Sequence, residues 1–204
     1  LKDMARVQIL YGGSSSGKSK FKAQQVVFDL LRGGRNWLIC RQVGRTIRGS
    51  VAQEINRVIT EWGVSQFFSI NKTDGTITSV EGWQAIFSGL DDVEKLKSIT
   101  PQQGAITDVW VEETTETAQD SIKQLMKRQR GGSEKIAKRM HFTFNPILQS
   151  HWIYKTYFAG IGWADTQTRH KGDGISIQKT TYKDNKFLTA EDRAGLENET
   201  DTYY

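Results

Sequence analysis

The sequence predicts an α/β fold, a mostly parallel sheet flanked by helices, with a small antiparallel β excursion. Three observations predict it. Short apolar runs alternate with segments of helical spacing, the pattern of buried parallel strands covered on both faces. The first of these runs enters a Gly/Ser-rich loop that opens onto a helix. The chain has 204 residues, 37% hydrophobic and 25% charged, enough for one domain with a substantial core.

Each element follows from its own pattern. Val7 to Tyr11 is short and apolar, a buried strand. Beyond the loop, Phe21, Val26, Val27, Phe28, Leu30 and Leu31 recur at helical spacing from Lys18 until Gly33-Gly34 stops the helix. Trp37 to Cys40 is a second buried strand. Val51, Ile55, Val58, Ile59 and Trp62 lie on one side of a helix closed by Gly63. Three β-prone pieces at 66–70, 76–80 and 83–88 are separated by Asp74-Gly75 and Glu81-Gly82, the turns of the antiparallel excursion. Ala105 to Val111 is a strand, Ala118 to Arg130 a helix and Arg139 to Phe144 a strand. Residues 152–158 (helix), 175–181 (strand) and a helix from Thr189 complete the series. Trp37, Trp62 and Trp110 fall in apolar patterns and are expected in the core.

Composition excludes several classes. No apolar run approaches the roughly 20 residues of a membrane span, and the N-terminus lacks a signal peptide's apolar stretch. A lone Cys40 rules out an internal disulfide and a cysteine metal cluster. Because the chain starts with Leu1, it is expected to be a piece of a longer one. The net charge of +5 is compatible with a nucleic-acid partner, and a solvated surface explains it equally well.

Gly12-Gly13-Ser14-Ser15-Ser16-Gly17-Lys18-Ser19 matches G-x-x-x-x-G-K-[ST] at every specified position. The glycines let successive N–H groups turn inward as an anion nest, and the following helix aims its N-terminal dipole at the same phosphates. Lys18 can reach the β- and γ-phosphates of a nucleotide, and the Ser19 hydroxyl can ligate Mg²⁺. Hydrolysis also needs a metal acid and an activated water. Ile106 to Val111 is a buried run ending in Glu112-Glu113, so Glu112 is assigned to Mg²⁺, through water, and Glu113 to the attacking water. Asp108 is a rival metal acid placed mid-strand, and a strand that simply leaves into solvent would look similar. His141-Phe142-Thr143-Phe144-Asn145-Pro146 ends another strand; Thr143 and Asn145 are candidates to sense the γ-phosphate, although Asn-Pro is also an ordinary turn starter. Gly131-Gly132-Ser133, flanked by Lys127, Arg128, Arg130, Lys135, Lys138 and Arg139, is a loop that could follow a DNA backbone or carry solvated charge.

With these features in order, the sequence resembles the ATPase domain of a tailed-phage terminase large subunit. Besides the phosphate loop, the resemblance rests on Tyr11-Gly12-Gly13, Cys40-Arg41-Gln42 through Arg48-Gly49-Ser50-Val51, and Phe87-Ser88-Gly89-Leu90-Asp91-Asp92 with Lys95-Leu96-Lys97-Ser98. It continues through Trp110-Val111-Glu112-Glu113, Asn145-Pro146 and His151-Trp152. It implies a RecA-like P-loop NTPase fold over residues 1–204 as a single domain, with Glu112 as metal acid, Glu113 as catalytic glutamate and the stretch ending at Thr143–Asn145 as coupling motif. It further implies ATP and Mg²⁺ as cofactors and double-stranded DNA as the moved substrate, in the cytoplasm of an infected bacterial cell. The expected partners are a portal and procapsid, a small terminase subunit and further copies in a ring. The family's C-terminal nuclease domain is expected to be absent from this chain. Many members carry an arginine inside the phosphate loop, where this sequence has Ser14 and Ser15. The charge-stabilising arginine must then come from Arg41, Arg45 or Arg48, in cis or across a subunit interface, and each could instead be a basic loop residue. A helicase- or recombinase-like ATPase, a small-molecule kinase and a nucleotide-dependent binding module without turnover stay open as alternatives.

Overall fold

The computed structural model describes residues 3–47, 49–91, 96, 98–129, 131–132 and 135–198. Strands β1 (Val7–Gly12), β2 (Asn36–Arg41), β6 (Ile106–Glu112) and β7 (Arg139–Phe144) are buried over nearly their whole length, because both of their faces are covered. Their apolar side chains alternate between two cores. Val7, Ile9, Val109, Val111, Met140 and Phe142 face one side of the sheet. Trp37, Ile39 and Trp110 face the other, under α1 (Lys18–Arg32) and α3 (Val51–Glu61). The first side is closed by α4 (Gln119–Arg128) and α5 (Trp152–Tyr157), through Ile122, Leu125, Ile153 and Tyr157.

Among the described residues nine strands form one sheet in the order β3-β4-β5-β2-β6-β7-β1-β9-β8. From β5 (Gln84–Gly89) to β9 (Ile175–Thr180) all neighbours are parallel. The expected antiparallel excursion is present as β3 (Phe68–Asn71) and β4 (Thr76–Ser79), but it is continuous with the main sheet, since β5 pairs antiparallel with β4 and parallel with β2. At the other edge β8 (Arg169–Gly172), not expected from sequence, pairs antiparallel with β9. The short α2 (Gly44–Ile47) and the C-terminal α6 (Ala190–Asn198) complete the described elements, beside several single 3₁₀ turns. None of the described helices is long and apolar enough to cross a membrane.

The topology places the chemistry. β7 lies between β1, which feeds the phosphate loop, and β6, which ends in Glu112. Parallel pairing brings the C-terminal ends of all three strands to one edge of the sheet, where open α/β sheets bind ligands.

Two expectations are corrected. Trp62 is 40% exposed, because α3 ends at Glu61 and Trp62 sits at its C-cap, past the last residue whose side chain reaches the core. Arg139 belongs to no basic loop: it is 2% exposed, with its guanidinium 2.5 Å from Asp108 and 2.6 Å from Asp29. Arg48, Asp92, Lys95, Lys97, Arg130 and Ser133 lie outside the described residues.

Candidate functional site

The phosphate loop leaves β1 at Gly12 and closes where Gly17 adopts φ 82°, a left-handed angle that glycine tolerates. A side chain at Gly12 could not be accommodated, since a Cβ there would stand 1.8 Å from the Thr180 carbonyl oxygen of β9. Gly17 caps α1 without a side-chain hydrogen bond, and the first turn of α1 holds no acidic residue. Its first N–H groups and dipole therefore face the loop uncompensated, the condition for anion binding.

Lys18 folds back over the loop. Its ammonium donates to the carbonyl oxygens of Gly12 (2.7 Å) and Gly13 (2.8 Å), to Ser16 Oγ (3.2 Å) and to Asn145 Oδ1 (3.3 Å). Burial lowers the Lys18 pKa, and the Glu113 carboxylate acts against that shift. The same ammonium thus senses the loop, the end of β7 and the acid after β6. Ser14 and Ser15 are exposed and Ser19 is half-buried, while Ser16 is buried and accepts from the Lys18 ammonium.

Glu112 ends β6 and is 7% exposed. Its carboxylate is 3.6 Å from the Arg41 guanidinium and 3.4 Å from Ser50 Oγ. Burial raises its pKa; Arg41 and Ser50 lower it, whereas Glu113 and Glu116 push it up again. A cation relieves this crowding of carboxylates. Among the described residues no group of three or more His, Cys, Asp or Glu could hold a metal by itself. Mg²⁺ keeps waters and takes phosphate oxygens beside one or two protein ligands. Glu112 and the Ser19 hydroxyl are the donors that fit it.

Glu113 has φ 47° and ψ 52°, left-handed angles costing a non-glycine residue about 1–3 kcal/mol. The turn persists because Thr114 and Thr117 pin it: Thr114 Oγ1 donates to the Val111 carbonyl (2.7 Å) and Thr117 Oγ1 to the Thr114 carbonyl (2.7 Å). This turn takes Glu113 out of the strand's alternation, so that two consecutive acids serve one edge of the sheet.

The remaining expected residues divide. Asn145 reaches Lys18, but Thr143 does not: its hydroxyl accepts from Trp110 Nε1 at 2.9 Å inside the core. Its carbonyl accepts from Thr114 Oγ1 at 3.4 Å, so Thr143 joins β7 to the Glu113 turn through the backbone. Arg41 lies against Glu112 and Glu116, at 3.6 and 3.7 Å, and Arg45 is exposed on α2. Asp108 is excluded as metal acid by its place: it lies toward the opposite end of β6, paired with Arg35 (2.9 Å), Arg139 and His141 (2.9 Å). Sequence reasoning did not assign Ser50 to the site, although it stands in the Arg48-Gly49-Ser50 stretch. It also missed Asn185, whose Nδ2 donates to the Ser15 carbonyl at 2.8 Å across 170 residues, a contact with no local signature.

The family model for the phage terminase large subunit matches residues 4–203. The PBSX phage terminase large subunit of Bacillus subtilis (strain 168) is 32% identical over 151 residues, covering 74% of this chain and 34% of that protein. The terminase large subunit of Bacillus phage SPP1 is 25% identical over 186 residues, covering 89% of this chain and 42% of that one. The chain therefore spans less than half the length of these curated relatives. In fold it is similar to the large terminase of a thermophilic bacteriophage, with TM-score 0.72 and 16% identity over 95% of this chain and 45% of that one. The same thermophilic phage protein in complex with ATP-gamma-S gives a TM-score of 0.68 at 15% identity over 95% of this chain and 44% of that one. The N-terminal domain of the bacteriophage phi29 DNA packaging ATPase gives 0.67 at 12% identity, over 86% of this chain and 90% of that domain. With a family model spanning nearly every residue, the chain belongs to the phage terminase large subunit family.

Proposed function

We propose that this chain is the Mg-ATP hydrolysing motor domain of a terminase large subunit, and that its turnover drives double-stranded DNA into a procapsid. The observation that carries the proposal is the meeting of Lys18, Asn145 and the strained Glu113 at one sheet edge. A module that only binds nucleotide has no use for an acid held at a strained angle beside the phosphate lysine. A kinase needs an acceptor pocket rather than a base for water.

In this reading the loop 12–19 holds the phosphates, and Lys18 trades its carbonyl partners for phosphate oxygens. Mg²⁺, when bound, neutralises charge on the β- and γ-phosphates. Glu112 and Ser19 would hold it, and Arg41 keeps the Glu112 carboxylate oriented. Glu113 accepts the proton of the attacking water. Asn145, bonded to Lys18, registers the loss of the γ-phosphate and passes it along β7. Arg45, exposed on α2, is offered to a neighbouring copy in a ring. DNA, portal, procapsid and small subunit are partners of the assembled motor in the infected cell. The thermophilic phage large terminase in complex with ATP-gamma-S supports the choice of nucleotide.

Steady-state ATP hydrolysis with Mg²⁺ by the wild type and by Glu113→Gln, with a nucleotide-binding titration, tests the proposal. Expected are binding in both proteins and turnover lost by at least about a hundredfold in the variant. Undiminished turnover in Glu113→Gln would remove the role given to this acid.

A further inference from the structure

The turn that carries Glu113 is closed by bonds of its own, which fix its shape but not its place. The Glu116 N–H donates to the Glu113 carbonyl at 2.9 Å and the Thr117 N–H to the Thr114 carbonyl at 3.1 Å. With the Thr114 and Thr117 hydroxyl bonds these stay within residues 111–117, apart from the long contact of Thr114 Oγ1 with the Thr143 carbonyl. A general base must also be held at a set distance from its water, since a misplacement of about 1 Å can cost on the order of 10²-fold in rate.

Two further carbonyls of the turn are taken by the segment that follows β7. His151 Nε2 lies 3.2 Å from the Thr115 carbonyl oxygen, and Trp152 Nε1 donates to the Thr117 carbonyl at 2.9 Å. His151 is also the N-cap of α5, where its Nδ1 accepts from the Ile153 N–H at 3.2 Å. A carbonyl can only accept and a backbone N–H can only donate, so a single tautomer, with its proton on Nε2, makes both bonds. An N-cap alone needs only a short acceptor, which Ser, Thr, Asp or Asn supplies. The bond to Thr115 is the one that such a cap would not make. The clamp is itself anchored, because the His151 N–H donates to the Leu148 carbonyl at 3.0 Å and the Trp152 ring packs against the core beside Tyr157. At its other end the segment begins with Asn145, which meets Lys18. Residues 145–152 therefore run from the phosphate lysine to the turn of the acid.

We propose that His151 and Trp152 are positioning residues for Glu113, setting its turn from outside through the Thr115 and Thr117 carbonyls. The inference rests on the reading of Glu113 as the acid that takes the water's proton. It gives His151-Trp152, part of the family resemblance yet outside the phosphate and metal chemistry, a role in turnover. It also makes the acid and the Asn145 contact two ends of one strap, so that a shift at Lys18 reaches Glu113 through residues 145–152.

Steady-state ATP hydrolysis, ATP affinity and amide hydrogen exchange of the wild type, His151→Asn, His151→Ala, Trp152→Phe and Glu113→Gln test the proposal. Asparagine keeps an acceptor for the Ile153 N–H, but its amide ends short of the position of Nε2; phenylalanine keeps an aromatic ring without its N–H. Both variants are expected to lower kcat by at least about fivefold at unchanged ATP affinity. Both should speed exchange of the Glu116 and Thr117 amides by about 2- to 13-fold, the loss of one hydrogen bond, and do so more than at the amides of β1 and β7. Wild-type kcat in His151→Asn, with a loss only in His151→Ala, would reduce His151 to a helix cap and overturn the proposal. Exchange unchanged at Glu116 and Thr117, or raised equally across β1 and β7, overturns it whatever the turnover. Wild-type turnover in Glu113→Gln would instead overturn the reading of the acid, and this proposal with it.

Discussion

At the scale of single residues, Glu113, the acid proposed to take the proton of the attacking water, sits on a strained backbone. Its left-handed angles are ones that β-branched residues avoid and glycine accepts. Glu113→Gly is expected to unfold at a urea midpoint no lower than the wild type while losing turnover. Glu113→Val should be less stable by about 1–2 kcal/mol. Equal midpoints for the two would mean that the turn relaxes when the side chain changes. Much of this site was legible in the sequence, because a buried apolar run that stops at two acids can stop there only at an edge. The strain was not legible, since nothing in Glu112-Glu113-Thr114 distinguishes a left-handed turn from a frayed strand end. Thr143 was legible as a strand residue, but the choice between Trp110 and the phosphate loop as its partner depends on how β6 and β7 face each other.

At the scale of elements, α1 and β7 are joined by more than apolar packing. Lys22 of α1 is buried and donates to His141 Nδ1 at 3.0 Å, and His141 Nε2 lies 2.9 Å from Asp108 Oδ1. Arg139 closes the group by bridging Asp108 to Asp29 of α1. Burial pushes Lys22 down to about 7, helped by the Arg139 charge, with Asp108, Asp3 and Asp29 opposing. Burial and the Lys22 charge hold His141 down at about 3, so the ring stays neutral above that pH and donates from Nε2 to Asp108. Burial alone would raise Asp108, but His141 and Arg139 hold it below the usual carboxylate range. The sign follows from Lys22. Between about pH 7 and its ordinary value of 10.5, the unfolded chain binds a proton there that the folded chain does not. Stability from this group therefore rises with pH through that window. Wild type measured against Lys22→Met in urea should gain about 2 kcal/mol relative to the variant from about pH 7 to about pH 9. A constant difference would show that the amine stays protonated in the fold.

This network also explains what periodicity reveals and conceals. The strands and α1 were legible because their apolar residues dominate their segments. Arg139 resembled its basic neighbours Lys135 and Lys138 in sequence, and only partners 31 and 110 residues away bury it. β8 was missed because Arg169-His170-Lys171-Gly172 lies at a sheet edge, where backbone pairing suffices and no apolar alternation is needed.

At the scale of the whole molecule, the site contains an arginine at Glu112 and lacks one inside its phosphate loop. Arg41 is held by Glu112 and Glu116, so its charge is available to its own site only. Arg45 is exposed and carried by α2, which follows directly on the β2 end where Arg41 sits. In the motor proposed above, Arg45 of one copy would enter the site of the next, and an arginine finger supplied in this way is worth about 10³–10⁵ in rate. Mixing decides between the two arrangements. Arg45→Ala and Glu113→Gln should each be inactive alone at high concentration. Together they should recover a fraction of wild-type turnover, because a Glu113→Gln copy can lend its intact Arg45 to an Arg45→Ala copy whose own Glu113 is intact. Arg41→Ala mixed with Glu113→Gln should recover nothing, since Arg41 and Glu113 must belong to the same copy. Recovery in the Arg41 mixture and none in the Arg45 mixture would reverse the assignment, placing Arg41 between subunits and leaving Arg45 a basic residue on an exposed helix.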